Sequence, residues 1–575
     1  MDNSTEKRDI SRRHFLGLAG GAAGIAALAS MGISAGWTEN VEEINIKDMK
    51  RENTNTDVLV IGGGMAGLFA AVKAHDAGAK VLLVSKGQLG SSGQTPFAKG
   101  IFAYDPKTAD VSIDEFVAAV SASALGTNNP VYTRQVAEHS LERVNELREW
   151  GFFDSVLYNK PFRKPIDERG IPVMERIVIT NLIRENWKIA GAAGFSLDEE
   201  KVHFFRAKSV ILCTGAGGFK PNGFPICDLT HDGTIMAYNI GAKVTGKEWN
   251  DGHPGQSKNA ADCFGGWHGM FERKPGITGV GIRHDLGVDM NYKAYVLGSP
   301  IQRGRPGEGK TNAVAGGPYM PEMIRSQGKE RKEPEGDRPK KDGPPPGMAG
   351  ELAGGSSAGM AIHKSEGLVP VNDKCESTIP GLYAAGDALG SYMAGAIYTQ
   401  VGSSLAGSAV QGAIAGEAAA RYYGQTEMPT ITAAKMNEIE EEMLAPLKRE
   451  AGYSPAWVTQ TLQGIMIPNF VLYIKKESML KAALAYIEEL RDHHMPMLRA
   501  LDLHELRLVH ETKNMITSAE MKLKASLMRT ESRCSHYRLD YPEMDNENWQ
   551  AWINIFKGED GEMQFEKQAF GSLSV

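Results

Sequence analysis

Apolar and polar positions fall into distinct periods along the chain. Asp57-Val-Leu-Val-Ile61 and Lys80-Val-Leu-Leu-Val84 are short apolar runs, and Leu68 to Ala77 between them carries helical patterning. Two buried strands flanking one helix predict a βαβ unit of about 30 residues. Residues 112–150 keep a helical period, and 197–218 read as strands ending in Ser209-Val-Ile-Leu-Cys213. Residues 37–55 are polar and acidic and read as a linker. From 251 to 350 the pattern dissolves into Gly, Pro and mixed charge, with Lys329 to Pro346 a solvated loop or linker. An α/β pattern resumes at about 351, with a buried strand at Gly381-Leu-Tyr-Ala-Ala385 and a helix from about Gly402. Beyond 430 the chain turns helical. Leu480, Ala483, Leu484, Ile487 and Leu490 share one helix face, read as a packing stripe.

Ahead of this pattern, Ser11-Arg12-Arg13-His14-Phe15-Leu16 leads into a run of apolar and small residues to Ile33. This reads as a twin-arginine export signal over residues 1–35, with Ala27-Leu28-Ala29 as the cleavage site. A membrane anchor is the alternative, because the run nears the ~18 residues of a span. Its Gly and Ala content favours a removed signal. The expected location is periplasmic or on the outer face of the cytoplasmic membrane.

The 575 residues are 42% hydrophobic and 23% charged, which excludes wholesale disorder. A net charge of −7 speaks against nucleic acid as a partner. The five cysteines, Cys213, Cys227, Cys263, Cys375 and Cys534, form no C-x-x-C pair. No metal site is expected from them. The 65 glycines cluster at 62–67, 87–100, 215–223 and 352–416. Such clusters let backbone approach something flat or phosphorylated.

Gly62-x-Gly64-x-x-Gly67 follows a strand and opens a helix, the context a dinucleotide fingerprint requires. The acidic residue usual about 20 residues on is missing, and Ser85-Lys86 ends the second strand instead. The serine suits a ribose and the lysine a phosphate. Ile379-Pro-Gly-Leu-Tyr-Ala-Ala-Gly386-Asp387 is a second strand ending, whose carboxylate can accept from a polyhydroxyl chain. Gly402-Ser403-Ser404-Leu405 then opens a helix whose N-terminal dipole favours negative charge on a reduced isoalloxazine. Two helix N-termini, one for pyrophosphate and one for flavin, point to FAD.

With these motifs the chain resembles the FAD-containing flavoprotein subunits of the fumarate reductase and succinate dehydrogenase family, a family that also includes L-aspartate oxidase and adenylylsulfate reductase. The likeness runs from about 56 to 550. It rests on Ser85-Lys86, Ser91-Ser92-Gly93-Gln94-Thr95 leading to Gly100, Thr214-Gly215, Thr230-His231-Asp232-Gly233, His253-Pro254, Gly386-Asp387 and Gly402-Ser403-Ser404-Leu405. The stretch from Arg529 to Pro542 is similar to the family's R-x-E-S-R-G-x-H-x-R-x-D-Y-P signature. The resemblance implies an α/β fold with a Rossmann-like FAD-binding domain in two segments, 56–250 and 351–425. An α+β capping domain is inserted at 251–350, a helical domain follows at 430–550, and 551–575 is a tail. It implies FAD contacts at Gly62, Gly64, Met65, Ala66, Gly67, Ser85, Lys86, Ser92, Gln94, Thr95, Gly100, Ile177, Thr214, Gly215, Asp232, Asp387, Ser403, Ser404 and Leu405.

Departures from the family bear on chemistry. The covalent flavin histidine falls on Gln94, so the FAD is expected to be noncovalent. The dicarboxylate-reading histidine falls on Leu229, a second substrate histidine near Gly355, and the carboxylate-binding arginine on Thr399. Neutral side chains do not replace a fork-like arginine–carboxylate contact, so fumarate and succinate are poor substrate expectations. The proton-delivering arginine of the cap has its nearest text in Arg303-Gly-Arg305-Pro-Gly-Glu-Gly309, with Arg305 the candidate acid and Arg303 second. Tyr392 and Tyr398 lie in the loop that by resemblance faces flavin, and His253 holds the family's H-P position. Trp267-His268 are candidates to line a substrate pocket. For all of these a structural role is the alternative. Arg533 and His536 read as stitching the helical domain to the rest.

The leading expectation is hydride transfer from flavin N5 to an activated C=C bond of a small neutral or aromatic acceptor, with electrons from a partner such as an iron–sulfur or cytochrome protein. The reverse dehydrogenation uses the same parts. The alternative is an electron-transfer component of a larger complex.

Overall fold

The structure is a computed structural model, described here for residues 49–221, 226–250, 272–282, 319, 321–322, 365–390, 392–397, 399–400, 402–467, 469–472 and 474–572. The export signal, His253, Trp267-His268, Arg303, Arg305, Gly355 and Tyr398 lie outside these residues.

Strand β1 (Lys50–Ile61), helix α1 (Met65–Asp76) and strand β2 (Val81–Ser85) form the expected βαβ unit. β1 begins well inside the stretch read as linker, because Lys50 to Thr56 continue the same ladder beside Lys201 to Ala207. α1 is apolar on nearly every face and is accordingly buried. β3 (Gly100–Phe102) precedes α2 (Ile113–Ser123), whose Ser112 and Glu115 make a reciprocal capping box. Then follow α3 (Pro130–Glu149), α4 (Asn159–Glu168), β4 (Val173–Glu175), β5 (Ile177–Glu185), β6 (Lys188–Ser196) and β7 (Lys201–Leu212). α5 (Asp232–Asn239) and β8 (Val244–Thr245) close this part.

From the stretch expected to cap the site, β9 (Gly276–Thr278) pairs in parallel with β3. β10 (Gly367–Leu368) and β11 (Leu382–Ala384) lead to α6 (Ser403–Tyr423), which packs on α1. The helical region holds α7 (Ala433–Leu444), α8 (Pro455–Met466), β12 (Ile474–Lys475), α9 (Glu477–Glu489) and the 26-residue α10 (Leu503–Met528). Leu480, Ala483, Ile487 and Leu490 of the packing stripe are buried, with Leu484 half-buried. β13 (Tyr537–Arg538) pairs with β12. The stretch read as a tail folds into a hairpin, β14 (Ala551–Lys557) and β15 (Met563–Ala569). β14 is buried on both faces, with Trp552 on one and Ile553 and Ile555 on the other, and it joins β8 and β10 in a four-stranded sheet.

The main sheet runs β4-β2-β1-β7-β6-β5, with β11 also beside β7. β2, β1, β7 and β11 are parallel neighbours, so their C-terminal ends open on the same edge. That edge is where open α/β sheets bind ligands.

Candidate functional site: a nucleotide-shaped cleft at the strand ends

The residue after each of three strands, Gly62, Cys213 and Ala385, lines one cleft, and so does Ser85 at the end of β2. The cleft is partly open to solvent. Gly62 sits at φ +117°, and a Cβ there would lie 2.2 Å from the Cys213 carbonyl oxygen. Only glycine fits such a turn. A Cβ on Gly67 would meet the Gly62 oxygen at 1.8 Å, so the third glycine sets how closely α1 approaches β1. The N-terminus of α1 is thereby brought to the cleft, where Gly64, Met65 and Ala66 form part of the wall. First-turn amides of a helix have no intrahelical acceptor and carry its positive pole, which suits a pyrophosphate.

The loop ahead of β3 supplies Ser92, Gln94 and Thr95, and β5 supplies Ile177 and Ile179. Thr95 Oγ1 accepts from the Met65 amide at 3.2 Å. Gln94 Oε1 is buried and has no hydrogen-bond partner among the described residues. An orphaned acceptor in a cleft wall is costly unless a bound molecule donates to it. Thr214, Gly215, Leu229, Asp232 and Met236 complete one side, and Asp387 and Ser408 another. The mixture of helix N-terminus, hydroxyls, a carboxylate and apolar walls fits the parts of FAD: phosphates, polyol and flat rings.

Lys86 lines the cleft but does not stand free toward a phosphate. Its ammonium donates to Asp232 at 2.7 Å, Glu511 at 2.7 Å, the Asp228 carbonyl at 3.0 Å and Thr230 at 3.3 Å. Burial works against that charge, and the carboxylates of Asp232 and Glu511 outweigh it, raising the lysine's pKa. Burial likewise opposes the Glu511 carboxylate, yet Lys86, Lys220 and Arg507 hold its pKa down to about 2. Behind the wall, His231 occupies the left-handed region at φ +62° as the N-cap of α5. Its imidazole meets Glu366, which also pairs with Lys247 at 3.1 Å. Burial lowers the pKa of His231, against the pull of Glu366. Glu366 is held well below the usual carboxylate range because His231 and Lys247 outweigh its burial.

The other sequence candidates lie elsewhere. Gly100 begins β3, and Ser403, Ser404 and Leu405 open α6 without lining the cleft. Ser403 and Thr399 line a separate small recess with Phe116 and Gln400. Tyr392 is fully buried between Tyr132 and Trp552, with ring centroids at 6.2 and 4.7 Å. Arg533 bonds Glu531 and the Leu125 carbonyl and so ties the C-terminal region to the FAD-binding part, whereas His536 contacts Lys475 and the Arg529 carbonyl within the C-terminal region itself. Sequence reasoning missed Asp228, Met236, Ser408 and Glu511. Asp228 accepts from the Gly93 amide at 3.0 Å, and no motif flags such a loop-to-loop bond.

Residues 57–166 match the family described as FAD binding domain, and residues 459–573 match fumarate reductase flavoprotein C-term. The chain is an FAD-dependent oxidoreductase similar to the fumarate reductase and succinate dehydrogenase flavoproteins. This flavoprotein is 27% identical over 572 residues to an uncharacterized FAD-dependent oxidoreductase of Methanocaldococcus jannaschii, covering 89% of the chain and 98% of the relative. It is 24% identical to a chain of the CoM/CoB fumarate reductase of Methanothermobacter marburgensis, over 86% of this chain and 96% of the relative. Among solved structures, adenylylsulfate reductase from Archaeoglobus fulgidus aligns with a TM-score of 0.66 and 21% identity, over 92% of this chain and 98% of that one. The quinol fumarate reductase of E. coli aligns at 0.67 and 18%, over 90% and 97%. These two likenesses establish the shared fold.

Proposed function

We propose that this flavoprotein holds FAD noncovalently and reduces an activated C=C bond of a small neutral or aromatic acceptor rather than a C4 dicarboxylate. The observation that carries the reading is Leu229. This residue, 4% exposed, stands in the cleft wall where the resemblance puts a dicarboxylate-reading histidine. An apolar side chain there cannot pair with a carboxylate, and burying an unpaired carboxylate is costly. Gln94 supports the noncovalent attachment, because an amide cannot take the place of a histidine in an 8α link.

When bound, FAD supplies hydride chemistry. The chain's own part is to bind and orient. The α1 N-terminus receives the pyrophosphate, Asp387 accepts from the polyol, and the apolar wall of Ile177, Ile179, Leu229 and Met236 excludes water. Arg305, Tyr398 and His253 are the proposed sources of a proton for the acceptor, with the stretch 251–350 closing over it as a cap; Tyr392, also expected from the sequence, is buried away from the cleft and is set aside. Electrons come from a partner protein, a proposal supported by relatives that are subunits of fumarate reductases. Export by the twin-arginine route, proposed from Arg12-Arg13, fits loading of the cofactor before translocation.

The test is anaerobic reduction of the purified protein followed by a screen of compounds that reoxidise its flavin. Enones, enoates, aromatic acrylates or steroid-like acceptors are expected to outpace fumarate. Fumarate as the fastest acceptor would overturn the substrate reading. Reoxidation by a redox protein alone would replace it with the electron-transfer role.

A further inference from the structure

α10 carries one polar stripe through an otherwise buried setting. Glu511, Asn514, Ser518 and Lys522 recur at intervals of three and four, which places them on one helix face. Each meets a group of the cleft wall or the layer behind it. Glu511 accepts from Lys86 at 2.7 Å, and Asn514 donates to Asp232 at 2.9 Å. Ser518 lies 3.0 Å from His231, and Lys522 lies 3.7 Å from Glu366. Lys86 and Asp232 line the cleft and bond each other. The helix thus grips both members of a pair that borders the cleft, from a region more than 270 residues away in sequence.

Around Glu511 three cations stand against two carboxylates. Lys86 and Lys220 face it, Arg507 lies 3.9 Å away, and Asp232 offsets Lys86 from the other side. Such a set is costly to assemble and, once assembled, admits few arrangements. A group fixed this way before the ligand arrives lowers the ordering cost of binding.

We propose that Glu511 and Asn514 are positioning residues that fix the Lys86–Asp232 pair, so that the C-terminal helix sets how tightly FAD is held. The inference rests on FAD occupying the cleft. Two effects of removing the Glu511 charge differ in sign. The wall becomes more positive, which by Coulomb attraction alone would tighten the hold on a pyrophosphate. Lys86 and Asp232 also lose their fixed geometry, which weakens it. The proposal requires the second to win.

The experiment strips FAD from the purified full-length protein and titrates it back, following flavin fluorescence, for wild type, Glu511→Gln, Asn514→Ala and Lys220→Met. Melting of each apoprotein is recorded beside the titration. Glu511→Gln and Asn514→Ala are expected to raise the Kd for FAD by about tenfold each, the scale of one charge-assisted hydrogen bond. Lys220→Met, which removes a Glu511 partner that does not line the cleft, is expected to stay within about twofold. Unchanged or tighter FAD binding in Glu511→Gln and Asn514→Ala would overturn the proposal, and so would equal weakening in all three variants. A purely architectural role would lower apoprotein melting while leaving the Kd of the folded fraction unchanged. Should Glu511→Gln fail to fold, Asn514→Ala, at a half-buried position, decides alone. Absence of FAD binding by the wild type would instead refute the reading of the cleft itself.

Discussion

Gly412 in α6 faces the first turn of α1, and a Cβ built on it lies 2.4 Å from the Ala66 carbonyl oxygen. Ordinary contact begins near 3.4 Å, so Gly412→Ala must part the two helices by about 1 Å. The obstructing atom is backbone and cannot rotate away. Ala is favoured over Gly in a helix interior by about 1 kcal/mol. Overpacking a close contact costs about 1–3 kcal/mol. The contact offsets that gain, and the net expectation is a loss of up to about 2 kcal/mol. Gly464 in α8 supplies the control, because a Cβ there meets nothing within 4 Å. Gly464→Ala is expected to gain up to about 1 kcal/mol. Because Ala66 lines the cleft, Gly412→Ala is also expected to weaken FAD retention while Gly464→Ala leaves it unchanged. Thermal unfolding at one fixed scan rate, apo and holo, with FAD titration of each apoprotein, reads both effects. Melting of Gly412→Ala at or above wild type, with FAD held as before, would refute the reasoning.

Gly62→Ala places a methyl at φ +117° against the Cys213 carbonyl and is expected to yield protein without flavin, visible as loss of the yellow absorption band; normal flavin content would refute the tight-turn reading. Glu366→Gln leaves Lys247 and Lys522 without their shared carboxylate in a fully buried site, and apoprotein melting is expected to fall by an amount corresponding to about 3–5 kcal/mol. Acidification acts through His510, whose burial and nearby Lys513 hold its pKa down to about 3. The unfolded chain takes that proton near pH 6.5, so this contribution is complete above 6.5 and is lost as pH falls toward 3. Glu511 adds a further loss as pH falls from about 4.5 to about 2. His510→Leu is expected to flatten melting against pH between about 6.5 and 4.5, and an unchanged slope would count against the assignment.

The βαβ unit, the fingerprint glycines and the two strand endings were legible because each is local: a run of four or five apolar residues, a turn, a helix start. Fourteen of the residues expected from motifs and resemblance to meet FAD, from Gly62 to Asp387, line the cleft for the same reason. The length of β1 was not legible, since Lys50 to Thr56 alternate as an exposed edge and owe their strand form to pairing with β7. The hairpin at Ala551–Ala569 was missed because β14 is completed by pairing along its edge with β8, some 300 residues earlier. Lys86 read as a phosphate ligand when seen beside Ser85 alone. Its partners Asp232 and Glu511 are 146 and 425 residues away, and only folding brings them to its ammonium.

The most direct measurement is the visible spectrum of natively purified protein before and after acid precipitation. The account predicts a yellow protein whose colour passes wholly to the supernatant as free FAD. A colourless native protein would contradict the cleft as a flavin site, and a yellow pellet would contradict the noncovalent hold.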